Sequence, residues 1–221
     1  MKTLFQCSIF IVLLSLTAVA VKAQVPYFAC TVGNGRVYGY TSVKVKYGMN
    51  QLESYHTVQF GLGHNFAVGA DLYASGASTY YGLLARFGYA FNPYFKVGFQ
   101  LTPSFDLSNK FTFRYLTSAF YLNGAITQNE KFLWVSNTWY GINNGANNTI
   151  NQWYYLGYNF TLKNKQSITP MVGCLYSWMF DSDADMAVGV YYTYRKFNFY
   201  LWSDNLFNRH PRIVIGVDFA I

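Results

Sequence analysis

From residue 36 onward, apolar and polar residues alternate in short runs with the two-residue period of a pleated strand. In the first run Val37, Thr41, Val43, Val45 and Tyr47 share one face, and Tyr38, Tyr40, Ser42, Lys44 and Lys46 share the other. In the fifth, Phe95, Val97, Phe99 and Leu101 oppose Lys96, Gly98, Gln100 and Thr102. In the last, Ile213, Ile215, Val217, Phe219 and Ile221 oppose Arg212, Gly216 and Asp218. Clusters of Gly, Asn, Asp, Pro or Lys separate the runs, as turns require. Twelve strands are predicted: Arg36–Tyr47, Tyr55–Gly63, Ala67–Ser75, Thr79–Phe91, Phe95–Ser104, Phe111–Gly124, Phe132–Ile142, Trp153–Leu162, Ser167–Met179, Met186–Tyr194, Phe197–Asp204 and Arg212–Ile221. Most are close to the ~9–11 residues that a tilted membrane-crossing strand needs. The sixth and seventh are less regular, and large apolar and polar residues fall on both faces of Phe132–Ile142.

The connections alternate in length. His64-Asn65, Asn92-Pro93-Tyr94, Asn129-Glu130-Lys131, Lys163-Asn164-Lys165 and Arg195-Lys196 are tight, whereas Asn143–Gln152, Phe180–Asp185 and Asn205–His210 are longer. Short turns at one end and longer loops at the other are expected of a barrel whose ends face periplasm and exterior. An even strand count brings both ends of the barrel to the side of the short turns.

Composition makes a soluble domain a poor alternative. The chain is 21% aromatic, 52% hydrophobic and only 11% charged, where soluble domains carry about 25% charged residues. Beyond residue 23 no apolar run is long enough for a membrane helix. In lipid only helices and closed sheets satisfy every backbone group, so the expected fold is an all-β, antiparallel up-and-down transmembrane barrel of about twelve strands. Residues 1–23 read as a cleaved signal peptide: Met1-Lys2, an apolar stretch from Ile9 to Val21, and Val21-Lys22-Ala23 before Gln24. Residues 24–35 are then an N-terminal periplasmic segment, and 36–221 the barrel. The net charge of +7 is scattered through strands and turns, which argues against a nucleic-acid partner. Cys30 and Cys174 remain after processing, two spaced thiols that could pair in an oxidising compartment.

Folding the hairpins in register gathers a polar belt on the inward face. Lys44 is set near Gln59, Gln59 opposite Asp71, Asp71 near Arg86, and Arg86 opposite Gln100. Inward placement is favoured because an Arg or Lys on the lipid side costs about 2–4 kcal/mol at the midplane. The belt is either a charged constriction that selects solutes or a packed network filling a narrow barrel. Inward glycines such as Gly61, Gly69, Gly82, Gly189 and Gly216 suit a narrow passage and close packing equally. Tyr94, Phe95, Tyr158, Phe160, Phe197 and Phe199 near the short turns, and Tyr47, Tyr81, Trp139, Tyr140, Trp153 and Trp178 near the long joins, are expected as interfacial girdles rather than as a sugar-stacking slide.

Catalysis finds little support. Of the three histidines, His56 has Ser54, Thr57 and Glu53 nearby, His64 reads as a turn residue, and His210 precedes the last strand. A nucleophile needs a positioned base and an orienting group. Asp181-Ser-Asp-Ala-Asp185 alternates carboxylates like part of a calcium loop, but lacks the glycine and closing glutamate. No catalytic residue, metal or cofactor is therefore expected.

With these strands, turns and export signal the chain resembles the outer-membrane β-barrel proteins of Gram-negative bacteria. Arg212-Ile-Val-Ile-Gly-Val-Asp-Phe-Ala-Ile221 looks like the terminal strand read by barrel-assembly machinery, although Phe219 stands two places before the final position. Small size, Tyr/Phe-rich strands and a signal ending in Ala-Gln resemble barrels of the Bacteroidota type. The resemblance implies outer-membrane lipid as surroundings, barrel-assembly machinery as a partner in biogenesis, and a porin-like narrow channel for small hydrophilic solutes. A non-conducting structural or accessory barrel and a lipid-modifying outer-membrane enzyme are the alternatives.

Overall fold

The computed structural model describes residues 30–46, 51–76, 78–143, 148–177, 184–204, 206–207 and 211–221. Its strands are β1 (Val37–Lys46), β2 (Gln51–Gly63), β3 (Phe66–Ala74), β4 (Thr79–Asn92), β5 (Phe95–Asp106), β6 (Thr112–Ala125), β7 (Phe132–Asn143), β8 (Thr149–Tyr158), β9 (Phe160–Thr161), β10 (Gln166–Ser177), β11 (Ala184–Tyr194), β12 (Phe197–Asp204) and β13 (Arg212–Ala220). β8 and β9 both pair with β10 and form one stave interrupted at Asn159. Successive staves pair antiparallel, and β1 pairs with β13 from Tyr38↔Ala220 to Lys46↔Arg212. The sheet therefore closes on itself as a barrel of twelve staves, the fold expected from the alternation. No described helix is long and apolar enough to cross a membrane.

Tight hairpins set the short-join end. His64 and Asn65 have φ of 50° and 65°, and Asn164 and Lys165 have 59° and 60°. Consecutive left-handed residues match the right-handed twist of the flanking strands, and Asn tolerates that region better than most residues. At Asn92-Pro93 the Asn92 Oδ1 accepts from the N–H groups of Tyr94 and Phe95, each at 2.8 Å.

Alternation gives the wall two unlike faces. Val43, Phe60, Leu83, Leu101, Leu201 and Ile215 stand exposed on the outside. Inside, Ser42, Gln59, Asp71, Arg86, Gln100 and Asp218 are buried. Apolar outside and polar inside is the reverse of a soluble domain and the arrangement of a membrane barrel. Outward aromatics band the short-join end: Tyr158 meets Phe160 at 4.7 Å between centroids and Phe91 meets Phe95 at 5.7 Å. Tyr94, Phe95, Tyr158, Phe160 and Phe199 are all exposed there.

Two strands start earlier than the pattern suggests. β2 begins at Gln51 rather than Tyr55, and β8 at Thr149 rather than Trp153. The added residues are mostly polar, yet they continue the ladders as Lys44↔Glu53 and Trp139↔Asn151. A bulge between Gly61 and Gly63 shifts the β2–β3 register.

Cys30–Arg36 folds back against the inward side of β2. Gly35 N–H donates to Gly61 O, and Gly61 N–H to Arg36 O, both at 2.9 Å. A Cβ on Gly61 would lie 2.1 Å from Gly33 O and 2.6 Å from Val32 O, so only glycine admits the segment here. Val32 is buried as a result. The segment occupies the short-join mouth rather than hanging free of it; residues 1–29 lie outside the described part of the chain.

Candidate functional site

The barrel encloses a cavity of about 510 Å³. Its lining reaches Tyr73, Tyr80, Ser104, Asn151, Asp204 and Arg212, near the ends of the strands that lead into the longer joins. Toward the short joins the lumen is filled by side chains: Val135, Asn137, Thr169, Met171 and Asn198 are all buried. Both polar atoms of the Asn137 side chain and the Thr169 hydroxyl lack a protein partner there.

Gln59, Asp71, Arg86 and Gln100 all line the cavity. Their pairings differ from simple hairpin counting. Arg86 does face Gln100 across β4–β5, but Gln59 faces Tyr38 and Gly69, while Asp71 faces Thr57 and Gly82. Past the Gly61–Gly63 bulge the β2–β3 ladder runs Gly61↔Ala67 and Gln59↔Gly69, which leaves Gln59 two places short of Asp71. The β1–β2 difference follows from the early start of β2, which leaves only residues 47–50 between the strands. Lys44 is accordingly opposite Glu53, not near Gln59, and forms a salt bridge with it at 2.8 Å.

Hydrogen bonds compensate the ionisable groups locally. Asp71 accepts from Tyr55 Oη at 2.5 Å and Thr57 Oγ1 at 2.7 Å. Arg86 lies over the Tyr121 ring, 4.5 Å from its centroid, and donates to Gln100 Oε1 at 3.4 Å. Two further groups escaped the sequence reading. Arg212 grips Asp204 in a bidentate pair, Nε to Oδ1 at 2.6 Å and Nη2 to Oδ2 at 2.9 Å. Asp218 accepts from Asn198 Nδ2 at 2.5 Å, and Asn198 Oδ1 accepts from Thr193 at 2.7 Å. The signal for them was the inward parity of Arg212, Gly216 and Asp218, which was not carried across to β12.

Aromatic sidedness is the main correction. Trp139 and Trp153, expected in an interfacial girdle, line the cavity. Buried Val135 and Asn137 on β7 and Tyr155 on β8 fix their inward parity. Tyr81 and Tyr140 are the immediate neighbours of inward Gly82 and Trp139 and by alternation face outward; Tyr47 and Trp178 lie outside the described residues. Inside, the rings form an unbroken chain. Tyr121 meets Trp139 at 5.9 Å, Trp139 meets Trp153 at 4.7 Å, and Trp153 meets Tyr155 at 5.9 Å. Tyr155 then meets Trp202 at 4.7 Å, and Trp202 meets Tyr191 at 5.6 Å. Since β10 and β11 separate β8 from β12, the Tyr155–Trp202 contact arches over two staves. Small residues allow it: a Cβ on Gly173 would lie 2.3 Å from Tyr155 Cδ1, and one on Gly189 would lie 2.3 Å from Trp202 Cδ2.

His56 is no part of this site. It shares a hydrogen bond with Thr41 on the outward face, while Thr57 and Glu53 have the opposite parity. A base on one face of the wall cannot be oriented by a carboxylate on the other. His64 is an exposed turn residue, and His210 lies outside the described residues. Of the three carboxylates of the acidic loop only Asp185 is described; its Oδ1 accepts from Met186 N–H at 2.7 Å and Phe207 N–H at 3.0 Å. Cys30 and Cys174 are free thiols. Cys174 is exposed on the outer wall between inward Gly173 and Leu175, whereas Cys30 belongs to the inward segment, so the wall separates them.

No protein-family model matches the chain, and no curated protein matches its sequence. Solved structures do resemble it. The KdgM porin superposes with a TM-score of 0.63 at 13% identity, over 82% of this chain and 98% of that one. The KdgM porin in complex with disordered oligogalacturonate gives 0.62 at 13% identity over the same shares. The NanC porin gives 0.58 at 11% identity, again over 82% and 98%. At such identities the likeness is one of fold: a closed, porin-like β-barrel.

Proposed function

We propose that this chain is an outer-membrane β-barrel that passes small hydrophilic solutes through a narrow lumen. One observation carries the reading: a closed sheet with an apolar outer wall keeps a cavity of about 510 Å³ lined by aromatic rings together with hydroxyl, amide, carboxylate and guanidinium groups. A purely structural barrel of this size has no need to leave such a space unfilled. Gln59, Asp71, Arg86 and Gln100 are the pore-lining belt in this reading, with Lys44 and Glu53 nearer the outer rim. The short-join end faces the periplasm and the long-join end the exterior. Residues 1–23 direct export and are removed before Gln24. The last strand, with Phe219, is the segment that barrel-assembly machinery reads, and the Tyr/Phe-rich wall suits a barrel of the Bacteroidota type. Catalysis has no part in the reading, because His56 faces lipid.

A second reading, a non-conducting accessory barrel, is favoured by the side chains packed across the short-join half. Planar-bilayer recording separates the two. The channel reading expects small, discrete ion currents whose selectivity shifts when Arg86 is neutralised. Refolded protein that inserts and resists heat unfolding, yet carries no current, would establish the accessory role.

A further inference from the structure

The lumenal wall is not uniform, and its asymmetry points to a ligand class. On one side lie Trp139, Trp153 and Trp202, less buried than the tyrosines they rest on and open to the cavity. Tyr121, Tyr155 and Tyr191 beside them touch the same cavity but are buried. These tyrosines hold the indoles in place through mutual edge-to-face contacts, with interplanar angles of 87° for Tyr121–Trp139 and 63° for Tyr155–Trp202. Such contacts suit aromatic quadrupoles and leave other ring surfaces for a visitor. Opposed to the indoles, Tyr40, Ser42, Thr57 and Thr102 supply hydroxyl groups along the same cavity.

Charge narrows the choice. The cavity is lined by three carboxylates (Asp71, Asp204, Asp218) and two guanidinium groups (Arg86, Arg212). Their compensation is internal, by Tyr55 and Thr57, by the Asp204–Arg212 pair, by Asn198, and by Tyr121 with Gln100. A polyanion would find no row of cations in excess, and a polycation would find Asp204 already paired with Arg212 and both Asp71 and Asp218 already accepting hydrogen bonds from neutral donors. A ligand with apolar ring faces, a hydroxyl-rich edge and no net charge fits both walls, and that description is a carbohydrate.

We infer that the cavity binds an uncharged oligosaccharide, its pyranose faces stacked on the Trp139–Trp153–Trp202 wall and its hydroxyls bonded to the opposing polar wall. The inference rests on reading the barrel as a solute passage, and it names the class of solute. It also sets this chain apart from the oligogalacturonate-bound KdgM porin, whose ligand is acidic.

The test has two arms. In planar bilayers, maltotetraose and cellotetraose at millimolar concentration should interrupt the ion current, and tetragalacturonate should not. Independently of any current, the neutral sugars should quench or shift tryptophan emission of the protein in a detergent without a sugar headgroup. Trp153→Phe and Trp202→Phe should each weaken both effects at least tenfold, while Trp134→Phe, on the outer wall, should leave them unchanged. Heat-shifted electrophoretic mobility shows that each variant is folded. Stronger blockage by the acidic sugar, or neutral-sugar effects indifferent to Trp153 and Trp202, would overturn the inference while leaving the channel intact. Sugar-dependent emission without current would refute passage and support the binding site. Current without any sugar effect would do the reverse.

Discussion

Arg86 holds its guanidinium carbon 4.5 Å from the centre of the Tyr121 ring, joining the polar belt of β2–β5 to the aromatic chain that starts on β6. Both residues are buried, with Arg86 only 6% exposed. The contact is the point at which a charge and an aromatic wall share one lumen.

Replacing Arg86 with Met keeps an unbranched, flexible stem and removes the guanidinium and its charge. Gln100 loses a donor and Asp71 loses a nearby cation. Unfolding in urea from phospholipid vesicles should show a loss of about 1–3 kcal/mol, the range for removing one partner of a buried polar contact. In bilayers the remaining current should become more cation-selective, as read from the reversal potential in a salt gradient.

The glycine floor of the arch gives a steric prediction. A Cβ at Gly189 would lie 2.3 Å from the Trp202 indole. Gly189→Val therefore forces the ring away from Tyr155 and Tyr191. The expected destabilisation is about 1–3 kcal/mol, as for other overpacked sites, together with a shift in tryptophan emission. An unchanged emission spectrum would mean that the arch does not form.

The outer wall can be tested by depth. Leu201 lies mid-strand and outward, while Phe160 lies beside the short-join end. Leu201→Arg should cost about 2–4 kcal/mol in bilayers and Phe160→Arg roughly 1 kcal/mol or less, following the depth dependence of cations on lipid faces. Equal costs at the two positions would contradict a membrane-spanning wall.

The two thiols should react differently. Cys174 is exposed on the outer wall, so a lipid-soluble maleimide should label it in vesicles and a charged one should not. Burial pushes the Cys30 thiol above its ordinary value, with Lys96 and Arg86 partly opposing the shift. The thiolate is the reactive form, and a raised value means less thiolate at a given pH. In a Cys174→Ser background, Cys30 labelling should therefore be slow at neutral pH and still be rising beyond pH ~9, where an exposed thiol approaches its plateau.

Strands were legible in the sequence because one face meets lipid and the other does not, which stamps a period of two on nearly every run. Registers were less so. The early start of β2 at Gln51 sets Lys44 against Glu53 rather than Gln59, while Gln59 meets Gly69 rather than Asp71 and Asp71 meets Gly82 rather than Arg86. Every offset is an even number of residues, so facing is unchanged and Gln59, Asp71, Arg86 and Gln100 still meet one cavity. Trp139 and Trp153 were misplaced for a related reason. Both faces of β7 carry large residues, so composition alone could not tell lumen from interface. The arch was beyond reach, since Tyr155 and Trp202 meet across the lumen rather than along the chain.

Closure has a kinetic consequence. The seam joins β1 to β13, so Tyr38 waits for Ala220 before either finds its last partner. Bringing such distant segments together loses chain entropy before any ladder repays it, which makes zippering of the seam a late and slow event. Until then both flanking strands present naked edges that invite pairing with a neighbouring chain. A nascent chain of this topology depends on being shielded during the interval, and its yield on refolding should fall steeply with concentration.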